Sequence, residues 1–590
     1  MRCKQIVLNY FKRHGFRYAL GVAFVVTSTV LTAILPNLVG QTVDAIKNAS
    51  NAGDLSQLSL VRQLALKMVL CAFGSFIARF IWRYLIHGFT RSVELNLRQT
   101  LFTHLQKLSA DFYVKNNTGD LITRSILDTQ VIRMMLGMGL VGIIDVTTII
   151  AVTIPYMVST ANLKLTMMAV IPLPFLLFAL VKLRTIMRRR FMVVQAAVSD
   201  ISSKVQENMT GIRVIKAFAQ EESENLHFEE LSKAKWKAEM SMVRISSIIN
   251  PISSQAFGIV FSIFLFVGGR MVIDGNLTLG EFTAFNTYIA YLMGPINRVS
   301  RIIQIWQRGI VSMQRLDKIF ASSPTVTDKN ADSSITTLKP ISVKVKLDSF
   351  IYPGTDTPVL QNIRFSLAPG EVLAIMGPTG SGKTTLINMF MRIWNAPKAS
   401  VFLSNHAVER IPLDVLRNSI AYVPQDTFLF SDSIENNIIF YDENITPEDA
   451  QTAAQVAVIH DNIMEFEKQY QTAVGERGMT LSGGQKQRIS IARALARKPS
   501  LLLLDDCLSA VDAETEHAIL SNLREYIRHC TTILVTHRIA AAGLADRILI
   551  LSEDGHQLAL GTHDELMASS PEYRQLVELA GQSKEELKNA

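Results

Sequence analysis

The sequence predicts a helical membrane domain followed by a soluble α/β domain, and three observations predict it. Of 590 residues, 48% are hydrophobic and only 19% are charged, against roughly 25% charged in ordinary soluble chains. The apolar residues concentrate in the first half, in stretches almost free of charge. After Phe320 the character changes to short strand-like apolar runs alternating with helical ones, and a glycine-rich loop sits between one such strand and a helix. This apolar content excludes a largely disordered chain. Cys3, Cys71, Cys507 and Cys530 show neither CxxC nor Cys/His metal spacing, so they read as small hydrophobes and not as a disulfide framework. The net charge of +8 comes without a basic and aromatic cluster, so no nucleic-acid partner is expected.

Six spans are expected: Tyr18–Ile46, Met68–Ala78, Met134–Ala161, Leu165–Val181, Ile245–Gly269 and Leu277–Ile296. A crossing helix needs about 20 apolar residues. The second span is the least obvious, because Arg79 and Arg83 interrupt it. The first is too long for a secretory signal and is followed by no small-residue cleavage site. Its basic approach (Arg2, Lys4, Lys12, Arg13, Arg17) keeps that end in the cytoplasm. The connections His87–Arg133 and Lys182–Arg244 are long and carry most of the Lys and Arg, so they lie on the same side as both termini. A multi-pass protein of the cell membrane follows, with membrane lipids as its surroundings.

Val61–Leu108, read as one helix, would measure ~70 Å against a hydrocarbon core of about 30 Å. It must project into the cytoplasm, and so must the helices flanking Met209–Glu222. Charge inside the bilayer calls for a partner. Arg83 and Asp145 each lie 31 residues from Val114, the expected reversal point. The spacing predicts an Arg83–Asp145 pair, with Arg79 lining a polar cavity; a structural ion pair is the favoured reading and a substrate-facing one the alternative. Met134, Met135, Met138 and Met293 are candidates for an adaptable apolar cavity surface, although methionines on membrane helices more often face lipid or core.

Residues 321–340 are rich in Ser, Thr and Asp and contain Pro324 and Pro340; they read as a linker between domains at 1–320 and 341–590. In the second domain, strands are expected at Val372–Met376, Ile420–Val423, Leu501–Leu504, Thr532–Val535 and Arg547–Leu551. Gly377-Pro378-Thr379-Gly380-Ser381-Gly382-Lys383-Thr384 fits GxxxxGK[ST], directly after one strand and opening the helical stretch Thr385–Ile393. That context identifies a phosphate-binding loop. Its backbone N–H groups cradle phosphates, Lys383 reaches the β and γ oxygens, and the Thr384 hydroxyl ligates Mg²⁺. ATP and Mg²⁺ are therefore the expected ligands. Leu501–Asp505 is a buried strand ending in a carboxylate, which places Asp505 at the metal and Asp506 where a carboxylate can polarise water. Leu481-Ser482-Gly483-Gly484-Gln485 precedes a basic helical start, an anion-binding helix end.

On these motifs the second half resembles the nucleotide-binding domain of ATP-binding cassette (ABC) transporters. The whole chain resembles a half-transporter with the type I exporter fold, six transmembrane helices ahead of an α/β P-loop NTPase domain. Phe112–Leu121 looks like the first intracellular coupling segment of such exporters and Asn208–Phe218 like the second. The resemblance implies further roles. Tyr352 would stack on adenine, and Gln425 would contact Mg²⁺ and water. Ser482, Gly483, Gly484 and Gln485 would close over ATP held by a second domain. Glu476, in Val474–Gly478, would face a coupling segment. Ser509–Asp512 would pass between the two nucleotide domains, and His537 would contact the γ-phosphate.

One position departs from the family pattern. Where a glutamate usually follows the metal-binding aspartate, this chain has Asp506. The shorter side chain withdraws the carboxylate by ~1.5 Å, and a misplacement of about 1 Å can cost on the order of a hundredfold in rate. ATP binding is expected to survive and hydrolysis at this chain's own site to be slow. With one phosphate loop, one signature segment and six spans, the chain must pair. An intact signature beside an altered carboxylate resembles the degenerate half of a heterodimeric bacterial multidrug exporter moving small amphipathic molecules. A homodimer with two slow sites, a lipid or peptide exporter or an importer on the same fold, and a non-hydrolysing regulatory half are the other readings.

Overall fold

The computed structural model describes residues 2–52, 56–160, 163–475 and 481–578. Two compact units emerge: Met1–Gln106 with Gly119–Ala321, and Lys107–Thr118 with Ser322–Ala590.

The first unit is helical. Its main helices are α1 (Cys3–Ala52), α2 (Ser56–Lys107), α3 (Leu140–Thr160), α4 (Leu163–Val170), α5 (Pro172–Thr210), α6 (Glu221–Ile273) and α7 (Leu279–Ala321). The long helix expected over Val61–Leu108 is α2, whose 52 residues span about 78 Å at 1.5 Å per residue. Three helical stretches among the described residues are long and apolar enough to cross a membrane: Cys3–Ser50, Leu58–Lys107 and Thr118–Thr160; Val260–Ile273 is a shorter apolar stretch. The expected spans Leu165–Val181 and Leu277–Ile296 fall on α4 with the start of α5, and on α7. The chain enters α3 through short helices broken by π-helical turns at Arg124–Asp128 and Met135–Gly139. Asn208–Phe218 forms the reversal from α5 to α6, with one short helix at Ile212–Ala217.

Packing in this unit follows the apolar faces. Met157, Leu165, Phe264, Phe285 and Tyr288 form a buried cluster from α3, α4, α6 and α7. Helix α1 lies along α7 and α5 along α6. The closest approach is at Gly40 and Gly280, where a Cβ on either residue would run into the other's backbone. Asp44 seals that junction: its carboxylate accepts the Gly280 N–H (2.7 Å) and the Thr278 hydroxyl (2.7 Å). A negative charge at the N-terminus of α7 also complements the helix dipole.

The expected Arg83–Asp145 pair does not form. Asp145 is bound by Arg298 of α7 (Nη1 to Oδ2, 2.5 Å) and by the Thr29 hydroxyl of α1 (3.0 Å). Arg83 stands 5.6 Å from the centre of the Trp82 ring. Counting residues along a hairpin fixes height, and Arg83 and Asp145 do line one cavity. It does not fix rotation about the helix axes, and a third helix supplies the nearer guanidinium. Arg79 lines the same cavity, as expected, and donates to Thr32 Oγ1 (2.9 Å). Of the four methionines, Met138 lines it and Met135 is buried; the Met293 side chain lies outside the described set.

Among its described residues the second unit carries two sheets. The strands are β1 (Val343–Ile351), β2 (Pro358–Leu367), β3 (Val372–Met376), β4 (Val401–Leu403), β5 (His406–Ala407), β6 (Ile420–Val423), β7 (Leu501–Asp505), β8 (Thr531–Val535), β9 (Arg547–Leu551) and β10 (Gln557–Gly561). A four-stranded antiparallel sheet runs β2-β1-β4-β5, and a six-stranded sheet runs β10-β9-β3-β8-β7-β6. In the larger sheet only the edge strand β10 is antiparallel. Strands β3, β7 and β8 are buried along their whole length, which is why they read as largely apolar runs. Residues 322–342 contain no helix or strand, yet Ile335 and Leu338 are buried in the core. Lys107–Thr118 belongs to this unit: Ser109 Oγ accepts the Thr325 and Val326 N–H groups, both at 3.0 Å.

Gly280→Val should lower the thermal denaturation midpoint of the detergent-solubilised chain. Overpacking of a close contact costs about 1–3 kcal/mol. An unchanged midpoint would mean that the α1–α7 approach bears no load.

Candidate nucleotide site

Parallel strands place their C-terminal ends on one edge of the sheet, where loops and helix N-termini converge. Strand β3 ends at Met376, the loop turns, and helix α8 (Lys383–Phe390) begins. The turn needs its glycines. Gly382 has φ +86°, and a Cβ there would sit 2.9 Å from the Val359 carbonyl. Ser381 is buried, and Gly377, Pro378, Thr379 and Gly380 complete the loop. Lys383 is only 7% exposed, and its ammonium donates to the Gly377 (2.8 Å) and Pro378 (2.6 Å) carbonyls. Burial lowers its pKa, while Asp505 and Asp506 pull the other way. A cation held out of water among backbone dipoles is suited to a highly charged anion.

Strand β7 ends in Asp505, 1% exposed. Burial raises this carboxyl, and hydrogen bonds from the Thr384 and Tyr422 hydroxyls and the charge of Lys383 oppose that. The hydroxyl of Thr384 beside a buried carboxylate is a pair of hard oxygen donors, and these fit Mg²⁺. Asp506 follows in the left-handed region, φ +44°, which Asp tolerates better than most residues. Its N–H donates to Val535 O (3.0 Å), which continues the β7–β8 pairing. His537 lies just past β8; desolvation and the nearby Lys383 lower its pKa, and Asp506 opposes. Lys383, Asp505, Asp506 and His537 are thus electrostatic neighbours. Gln425 is exposed just beyond the end of β6.

Tyr352 is half-buried. Its hydroxyl is hydrogen-bonded to Thr385 Oγ1 (2.8 Å), and its ring meets Trp394 edge to face at 4.9 Å. Ser482 is the N-cap of helix α9 (Gly483–Ala496), in a reciprocal capping box with Gln485: Gln485 N–H to Ser482 Oγ at 3.2 Å, and Ser482 N–H to Gln485 Oε1 at 2.9 Å. Gly483 and Gly484 form the bare first turn of α9. Asp512 caps α10 (Ala513–Tyr526) by accepting the Thr515 N–H (2.9 Å). Glu476 lies outside the described residues, as does Gly478.

A family model for the ABC transporter transmembrane region matches residues 18–296, and one for the ABC transporter matches residues 360–509. A protein of Bacillus subtilis (strain 168) described as a probable multidrug resistance ABC transporter ATP-binding/permease protein, YheI, is 35% identical over 96% of both chains. The multidrug resistance-like ATP-binding protein MdlA of Escherichia coli (strain K12) is 33% identical over 96% of this chain and 95% of its own. The chain belongs to the ABC exporters with fused membrane and ATP-binding domains. A solved bacterial Atm1-family ABC exporter with ATP bound shares the fold, with TM-score 0.77 over 95% of this chain and 98% of the other at 24% identity.

In this ABC exporter the membrane-spanning helical domain precedes an ABC ATPase domain. The site also includes residues that motif reading did not single out. Gln487, 5% exposed, ties α9 to the following loop: its Nε2 donates to Ser509 Oγ (3.1 Å), and its Oε1 accepts the Ala510 N–H (3.0 Å). Arg538, next to His537, pairs with the buried Glu516 and donates to Ser509 O (3.4 Å). Arg493 of α9 donates to Asn437 O (2.6 Å) and Phe428 O (3.1 Å), just beyond Gln425; burial drops its pKa to about 10. A polar side chain on a helix otherwise packed against the core was the available signal for Gln487.

Gln487→Ala should lower the ATPase kcat about tenfold while ATP affinity stays within about threefold, because the Ala510 N–H loses its acceptor while the phosphate loop is untouched. Phosphate release and fluorescent-nucleotide titration check it. Gln487→Glu, which keeps that acceptor, should lose less.

Proposed function

We propose that the chain is one half of a dimeric, ATP-driven exporter of small amphipathic molecules, paired with a different half, and that its own site hydrolyses slowly. Asp506 carries this reading. It follows the metal-site aspartate where the shorter carboxylate falls ~1.5 Å short of a glutamate's reach, and a shortfall of about 1 Å can cost on the order of a hundredfold in rate. The other residues of the site support ATP binding in this reading. The loop from Gly377 to Thr385 takes the phosphates, with Lys383 on their oxygens. Tyr352 and the adjoining Trp394 offer an aromatic face for adenine. Thr384, Gln425 and Asp505 would hold Mg²⁺, which, when bound, offsets phosphate charge during transfer. His537 donates toward the γ-phosphate.

The capped start of α9 serves the partner. Ser482, Gly483, Gly484 and Gln485 present backbone N–H groups at a helix N-terminus, so they close over nucleotide held across the dimer. Because ATP must favour the closed state to drive the cycle, an intact signature lets the partner's site do the hydrolytic work. Six spans form the membrane domain, and Phe112–Leu121 and Asn208–Phe218 couple it to nucleotide. The names of the Bacillus and Escherichia relatives, both of the multidrug resistance type, support small amphipathic cargo.

Purified with its co-assembling subunit, the complex should give two subunit masses by native mass spectrometry. Asp506→Glu should raise steady-state phosphate release tenfold or more. A single mass, or a rate that Asp506→Glu leaves unchanged, would overturn the paired-halves reading.

A further inference from the structure

The membrane unit holds a cavity of about 500 Å³ between α1, α2, α3 and α7. Its charged lining among the described residues is Arg79, Arg83, Asp145 and Arg298: three guanidinium groups against one carboxylate. Asp145 is already engaged, by Arg298 (2.5 Å) and by the Thr29 hydroxyl (3.0 Å). Arg79 has the neutral Thr32 hydroxyl at 2.9 Å, and Arg83 has the face of Trp82. No carboxylate among the described residues lies within ion-pair distance of either. Two cationic groups therefore face one cavity without counter-charge. Uncompensated charge at membrane depth is costly, and where it is kept it marks a pathway or a ligand. Arginine's forked donors match carboxylate, sulfonate or phosphate oxygens in a way a hydrophobic or cationic ligand cannot. The rest of the lining mixes the hydroxyl side chains of Ser28, Thr153 and Tyr291 with an apolar stretch that includes Val25, Val141 and Ile149.

We propose that this cavity binds amphipathic anions, with Arg79 and Arg83 gripping the acidic group and the apolar stretch taking the body of the molecule. The proposal rests on the export reading and narrows its cargo. The Asp145–Arg298 pair is a fixed anchor: it neutralises one guanidinium, holds α3 to α7, and leaves the recognising charge on α2.

The test uses the full-length complex in phosphatidylcholine nanodiscs, without ATP, so that hydrolysis at Asp506 does not enter the reading. The probe is 11-(dansylamino)undecanoic acid, with its methyl ester as the uncharged comparator. The acid should bind at least tenfold more tightly than the ester. The Arg79→Gln, Arg83→Gln double variant should lose at least tenfold in affinity for the acid and less than twofold for the ester, which reports an intact cavity. The double lysine variant should keep affinity for the acid within a few-fold. Adding phosphatidylglycerol to the nanodisc separates two sources of the same chemistry. Competition with the acid assigns the site to lipid headgroups, and undiminished acid binding assigns it to free amphiphiles. Equal binding of acid and ester, or acid binding that survives the double glutamine change, would overturn the proposal. Either result would leave the subunit masses and the Asp506→Glu rate standing or falling separately.

Discussion

Lys383, at the start of α8 beyond β3, and Asp505, at the end of β7, lie at the same edge of one sheet, both almost wholly out of water. Burial pushes the lysine down and the carboxyl up, toward neutrality in each case; Asp505 and Asp506 hold the lysine toward its charged form, and the Thr384 and Tyr422 hydroxyls, with a smaller pull from Lys383, do the same for Asp505. Much of the second unit can be understood as the framework this juxtaposition requires. Strands β3 and β7 deliver the two residues, and β8, hydrogen-bonded between them, sets their spacing. The glycine-rich turn supplies carbonyls to the ammonium in place of water. Opposite charges at such a site are costly to separate and ready to accept a polyanion with its cation.

The loops around that pair are tied to one another by polar side chains. Gln487 joins α9 to Ser509 and Ala510, Arg538 joins the His537 turn to the same loop, and Arg493 holds the segment beyond Gln425. A shift at one loop is therefore felt at the others through hydrogen bonds, most directly at Gln487, which is buried and has no water to fall back on. This is the physical basis for treating the segments as one switch rather than as independent contacts.

The membrane unit obeys the same rule in a different solvent. Asp145 is partnered by Arg298 and Thr29, and Asp44 by the N-terminus of α7. The guanidinium groups of Arg79 and Arg83 line one cavity with only a neutral hydroxyl and an aromatic ring beside them. At Gly40 and Gly280 the helices approach at backbone distance, so the α1–α7 seam is set by the lack of side chains and not by their packing.

By itself the sequence determined the order of the two parts, the long α2, the limits of β3, β6 and β9, and the phosphate loop with its carboxylate strand. All of these are local: an apolar run of given length, a glycine spacing, a residue type at a strand end. The tertiary structure decided what depends on rotation and on partners far along the chain. It assigned Asp145 to Arg298 rather than Arg83, and it brought Gln487 to Ser509. It placed Lys107–Thr118 with the second unit, and it buried Ile335 and Leu338 within a stretch that composition reads as a linker. Strands β1, β2, β4, β5 and β10 were also missed. Strand β4 is only three residues long, the others mix exposed and polar residues, and only pairing across the sheet makes strands of them. Sequence spacing measures distance along an element, while the direction in which each side chain points is settled only when the elements pack.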